Sequence, residues 1–147
     1  MQVGPIGDGS HVVPTHQLIR PAGESLEFGG RPVDMALSRD GKTLYVKDDR
    51  GLVVVDVGAW KIRQELKFKE GGGSMHGIAV TRDGAHIYAT TAQNLLWEAA
   101  VSQDGAVAWA RQIVLPGPEG QVEDSRNGGS SHACGIALSP DEKRAYV

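Results

Sequence analysis

Gly77-Ile78-Ala79-Val80-Thr81-Arg82-Asp83-Gly84-Ala85-His86-Ile87-Tyr88-Ala89 decides the fold. A short apolar run enters an Asp-Gly turn and leaves as a second apolar run ending near a tyrosine. Asp-Gly suits a hairpin because glycine takes positive φ without a Cβ clash. The same phrase stands earlier as Asp34-Met35-Ala36-Leu37-Ser38-Arg39-Asp40-Gly41-Lys42-Thr43-Leu44-Tyr45-Val46. It returns as Gly135-Ile136-Ala137-Leu138-Ser139-Pro140-Asp141-Glu142-Lys143-Arg144-Ala145-Tyr146-Val147. In this third copy Glu142 replaces the turn glycine, which predicts a strained turn or one of another type.

The copies start at 34, 77 and 135, which are 43 and 58 residues apart. The first interval matches the ~40–45 residues of a four-stranded propeller blade. The second carries an insertion at 116–132, rich in Gly, Ser and Pro. Between copies, Leu52-Val53-Val54-Val55-Asp56-Val57 reads as a strand covered on both faces. Residues 62–69 alternate apolar and charged side chains, as an outermost strand does. The second blade predicts strands at about 76–81, 86–90, 95–101 and 107–115. Ala92 to Ala100 contains good helix formers, but it is short, uncapped and placed where the repeat requires a strand. Glu24-Ser25-Leu26-Glu27-Phe28 precedes the first copy as Glu65-Leu66-Lys67-Phe68 precedes the second, which predicts another outermost strand. Residues 1–23 are punctuated by glycine and proline and predict an irregular lead-in. The expected class is all-β: a β-propeller fragment of four-stranded antiparallel blades, two full blades plus the start of a third. Its blades fall at about 29–69, 72–115 and, incomplete, 133–147, within a partial propeller spanning 24–147.

Composition narrows the function. A chain of 147 residues can bury one core. Its net charge of −3 has interspersed signs and lacks the basic stripe of a nucleic-acid binder. The charged run Asp48-Asp49-Arg50 reads as solvated loop. No apolar run approaches the ~20 residues of a membrane span, and no signal peptide is visible after Met1. Cys134 is the single cysteine, so no internal disulfide forms.

With these residues in place, the repeat resembles the YVTN family of bacterial propellers, cousins of lactonase-like propellers. The resemblance covers about 24–147. It rests on Gly77 to Ala89, Gly135 to Val147 and the Val53 to Val57 strand. It implies a periplasmic or extracellular setting. The lead-in Val13-Pro14-Thr15-His16-Gln17-Leu18-Ile19-Arg20-Pro21-Ala22-Gly23, with Gly30-Arg31-Pro32-Val33-Asp34, is similar to bacterial proteins, planctomycete ones among them, that open with such a propeller. Several of those carry an alkaline-phosphatase-type phosphoesterase domain downstream.

Candidate chemistry is sparse. Gly41-Lys42-Thr43 imitates the end of a P-loop, but Ala36 stands where the motif needs glycine. Gly73-Ser74-Met75-His76-Gly77 and Gly129-Ser130-Ser131-His132 lack the final glycine of a nucleophile elbow and lead into strands. The better cluster lies at the inner strands, where Asp34, His76, His132 and Cys134 are candidate channel-mouth ligand residues. Imidazole and thiolate suit zinc or copper, yet His76 and His132 occupy unequal places in the repeat, so no metal site and no cofactor are expected. Trp60, Trp97 and Trp109 are expected to fill the wedges between blades. No heme Cys-x-x-Cys-His is present. The leading expectation is a non-catalytic module that binds an unknown protein or small molecule at its channel face or loops, with the 116–132 insertion as contact surface. The alternative is a lactonase-like hydrolase working through Asp34, His76 and His132.

Overall fold

The computed structural model describes residues 2–116 and 132–147. Thirteen strands and no helix occur among them, and none of the described segments is a helix long and apolar enough to cross a membrane. A small sheet comes first: β1 (Gly4–Pro5), β2 (His11–Val12) and β3 (Leu18–Ile19), paired in that order. The lead-in is therefore not wholly irregular. Gly7, Gly9 and Pro14 fall in the turns between the three two-residue strands, and Val12 lies buried.

Blade one is an antiparallel meander of β4 (Pro32–Leu37), β5 (Thr43–Asp48), β6 (Gly51–Asp56) and β7 (Lys61–Lys67). Blade two repeats it with β8 (Gly73–Val80), β9 (His86–Thr91), β10 (Leu95–Val101) and β11 (Val107–Val114). The helix-prone stretch around Trp97 is a strand, paired on both sides. A third sheet comprises β12 (Ala137–Leu138) and β13 (Ala145–Tyr146). Inner strand β4 lies beside β8, β8 beside β12, and outer strand β7 beside β11, so successive sheets stack as propeller blades. Nearly all of the insertion, residues 117–131, lies outside the described residues.

Period-two alternation explains the stacking. Tyr45, Leu52 and Val54 of blade one meet Ile87, Ala89, Ala99 and Val107 of blade two in one core. Fully burying a side chain such as Leu52 or Ile87 stabilises by roughly 1.5–3 kcal/mol. Phe68, Trp97 and Trp109 extend this core outward, with Phe68 and Trp109 stacked at 5.1 Å. The Trp97 indole donates to the carbonyl of Glu70, in the connection between the blades, and the Trp109 indole to that of Lys67 at the end of β7. Trp60 instead packs on the opposite face of blade one with Val46, Val53 and Val55.

Two further expectations from the sequence are corrected. Residues 24–28 form no strand; Leu26 and Phe28 cover the face of blade one that carries Val53 and Val55. The alternation that suggested an edge strand serves a strap, because apolar side chains there bury without any ladder. Asp48 is 1 % exposed rather than solvated. Its Oδ1 accepts the backbone N–H groups of Arg50 and Gly51, which caps the turn, and the Arg50 guanidinium neutralises the carboxylate.

The repeated turns share one wiring. Ser38, Thr81 and Ser139 each donate a hydroxyl to the aspartate two residues on, Asp40, Asp83 and Asp141. Each of these hydroxyl oxygens also accepts a backbone N–H five residues ahead. Ser102 and Asp104 make the same side-chain contact between β10 and β11. These hydrogen bonds hold all four carboxyl groups below the usual carboxylate range, with the serine or threonine hydroxyl as the main cause. The third turn keeps this wiring: Glu142 accepts the left-handed φ of 56° itself. Its carboxylate accepts the Arg82 backbone N–H at 2.6 Å, and Arg82 donates to the Pro140 carbonyl. A contact between blades thus accompanies the strain of a non-glycine residue there.

Candidate functional site

The inner end of β8 departs from the ladder. Gly73 pairs with Thr91 and Ile78 with Ala89, so the four residues 74–77 stand opposite Thr90 alone. Such a bulge unpairs backbone groups and re-aims side chains. Here Met75 is 60 % exposed and His76 also points outward, whereas Ser74 and Gly77 are buried.

Polar side chains from three strands hold the bulge from inside. Lys47 of β5 is fully buried, and its Nζ donates to Ser74 O (3.1 Å), Ser74 Oγ (2.6 Å) and His76 O (2.6 Å). Thr90 Oγ1 donates to His76 O at 2.8 Å and lies 2.8 Å from Ser74 Oγ. Asp34 of β4 accepts the N–H of Gly77 at 2.8 Å and of Ile78 at 3.3 Å on Oδ2, and its own Oδ1 takes the N–H of Met35. Gly77 sits at φ +103°, and a Cβ there would overlap the Thr90 side chain and lie 2.8 Å from the Cys134 carbonyl. Burial brings the Lys47 ammonium down to about 8, partly offset by the nearby Asp34 carboxylate and by Cys134.

The four residues singled out from sequence separate in role. Asp34 meets the backbone of the bulge, not the His76 ring. Cys134 is exposed, with its carbonyl against Gly77. His132 Nδ1 makes a 2.8 Å hydrogen bond with Ala92 O. His132 and Cys134 line a hollow of about 370 Å³ together with Leu115 and Pro116. Among the described residues, no group of three or more His, Cys, Asp or Glu side chains could hold a metal ion. Lys47, Ser74 and Thr90 escaped the sequence reading as a unit. The available signal was alternation: Lys47 shares its strand face with Tyr45, on the side that meets the next blade.

The Lys47–Ser74 pair has the composition of an amine base beside a hydroxyl nucleophile. Its surroundings remove that use. Ser74 is 6 % exposed, and its hydroxyl is enclosed by Lys47 Nζ, His76 O and Thr90 Oγ1, with no side left for a substrate carbonyl. A second buried polar group, Glu98 of β10, lies on the other face of blade two between the Arg111 guanidinium and His86 Nδ1, the latter 2.9 Å away.

No protein-family model and no curated protein sequence matches the chain. Solved structures do. Hydrazine synthase of Kuenenia stuttgartiensis is similar at a TM-score of 0.59 and 23 % identity, over 86 % of this chain and 32 % of that one. A functionally unknown protein from Desulfotomaculum acetoxidans is similar at 0.62 and 17 %, over 99 % of this chain and 49 % of that one. The β-propeller domain of Cps50 (Swd1) from Myceliophteria thermophila reaches only 0.48 at 13 %, over 56 % of this chain and 28 % of that one, a likeness that carries no argument. The chain thus spans a third to a half of the length of the first two. At these identities the shared property is the fold. The blades themselves define the class: an all-β propeller module.

Proposed function

We propose that this module is a non-catalytic binding platform, which presents the end of its blades carrying the 74–77 bulge to a protein or small-molecule ligand. The observation that carries this reading is the direction of its buried polar groups. Lys47, Ser74, Thr90 and Asp34 all turn onto backbone of the bulge, and what they leave outward is a fixed pair of exposed side chains, Met75 and His76. A rigidly held contact residue loses little freedom on binding, which favours affinity. Cys134, whose carbonyl lies against Gly77 of the bulge, also lines the hollow that carries His132. The resemblance to exported bacterial propellers favours an exported parent, with any phosphoesterase chemistry residing outside these residues.

Assays of residues 1–147 with nitrophenyl phosphates and with gluconolactones test the reading. The expected result is no turnover with or without added divalent metal. Metal-dependent turnover lost in His76→Ala or His132→Ala overturns it in favour of a hydrolase.

A further inference from the structure

We infer that the Lys47–Ser74–Thr90 cluster is a proton-tolerant latch: when the Lys47 amine gives up its proton, the Ser74 hydroxyl reverses direction and the 74–77 bulge stays closed. The inference rests on counting donors and acceptors, and it goes beyond the binding reading. A lysine ammonium has three N–H donors and no acceptor. In the structure those donors have three acceptors, Ser74 O, Ser74 Oγ and His76 O. The Ser74 hydroxyl then points its own hydrogen at His76 O, 2.6 Å away, or at Thr90.

A neutral amine has two N–H donors and one lone pair. Its donors suffice for the two carbonyls, Ser74 O and His76 O. The lone pair faces Ser74 Oγ at 2.6 Å, a distance that serves a hydrogen bond in either direction. Rotating the Ser74 hydroxyl by one torsion lets it donate to Nζ. His76 O keeps Lys47 and Thr90 Oγ1 as donors. One hydrogen bond is lost, yet no buried atom of the cluster is orphaned, which is the costly outcome. At the same step a buried positive charge disappears.

Few other charges face the amine. Among the described residues, Asp34 stands across from Lys47 on β4, the His76 ring leaves the bulge outward, and Cys134 approaches ahead of β12. The β6 neighbour is Leu52 and the β9 neighbour Thr90, neither of which titrates. Asp34 is committed to the Gly77 and Ile78 amides, so it does not depend on the ammonium for hydrogen bonds.

The test follows the Lys47 side-chain nitrogen by NMR in the ¹⁵N-labelled chain, from neutral pH to about 10.5, together with amide-exchange protection of Gly77 and Ile78. The expected result is one Lys47 transition with protection at both amides unchanged within about threefold. In Ser74→Ala the neutral amine has lost its hydroxyl donor, and protection falls by about tenfold across the same transition. Ser74→Cys, a weaker donor, falls in between and serves if the alanine variant does not fold. Loss of protection in the wild-type chain through the transition, no Lys47 transition at all, or Ser74 variants that track wild type overturn the inference.

Discussion

Blades one and two share strand order and the wiring of the turn after the inner strand, yet they differ where each inner strand begins. In blade one, Pro32 pairs with Asp48 and Asp34 with Lys47, so a single residue, Val33, is extra. In blade two the excess swells to residues 74–77 opposite Thr90. At equivalent repeat positions blade one has Asp34 and Lys47, whereas blade two has Gly77 and Thr90. The pairs are complementary. The charged residues of blade one reach across to hold the longer bulge of blade two, whose glycine and threonine leave room for them. A repeat can therefore diverge in one blade because its neighbour diverges with it.

The sharpest way to break this comparison is Gly77→Val. It places a β-branched residue at φ +103° against the Thr90 side chain and the Cys134 carbonyl. An expected destabilisation of about 3 kcal/mol or more, read by denaturant melts, distinguishes a required glycine from a tolerated one. Next comes Lys47→Met, which leaves Ser74 O without its donor and loosens the bulge by about 2 kcal/mol at neutral pH. The same variant isolates a pH effect. Lys47 has a folded value of about 8 against 10.5, so between these values the unfolded chain binds more protons and stability rises with pH. Relative to Lys47→Met, wild-type unfolding free energy should grow across that window by at most about 3 kcal/mol. A flat difference means that the amine does not titrate there.

Smaller effects sharpen the contrast at the turns. Glu142→Ala keeps the left-handed φ but loses the bond to Arg82 N, with an expected loss of about 1 kcal/mol. Glu142→Gly loses that bond and relieves the strain, so the two terms nearly cancel, within about 0.5 kcal/mol. The smallest effect belongs to His76→Ala, within about 0.5 kcal/mol on thermal melting, because the ring is exposed and the backbone carbonyl carries the contacts. A large loss there means that the imidazole, and not only its backbone, supports the bulge.

The fold was legible because its turns repeat in sequence as well as in space. Asp40-Gly41 and Asp83-Gly84 mark hairpins, and the β-branched run Val53 to Val55 sits in a strand covered on both faces. The strap at 24–28 was not legible, since Leu26 and Phe28 alternate as a strand would, and pairing depends on a neighbour that alternation does not reveal. The site was half legible. Asp34 and His76 were singled out as polar residues at inner strands; Asp34 accepts the amides of Gly77 and Ile78, whereas His76 leaves its ring outside and offers only its carbonyl to Lys47 and Thr90. Lys47 hid between Val46 and Asp48, where a lysine suggests solvent. Its partners, Ser74 and Thr90, are distant in sequence and converge only through the β8 bulge, whose extra residues no local pattern announces.

The wiring of the hairpin turns has a consequence for chemical ageing. Among aspartate dipeptides Asp-Gly is the most prone to isoaspartate formation: the glycine nitrogen attacks the aspartate side-chain carbon with loss of water to give a succinimide, and water then reopens that ring at the former main-chain carbonyl. In the folded chain both reactants are disarmed. The carboxyl groups of Asp40 and Asp83 are held ionised, which makes them poor electrophiles. The attacking nitrogens of Gly41 and Gly84 are already bonded to the Ser38 and Thr81 carbonyls. Unfolding frees both at once. Isoaspartate at these two positions therefore records how long the chain has spent unfolded, a molecular clock that the native blades keep stopped.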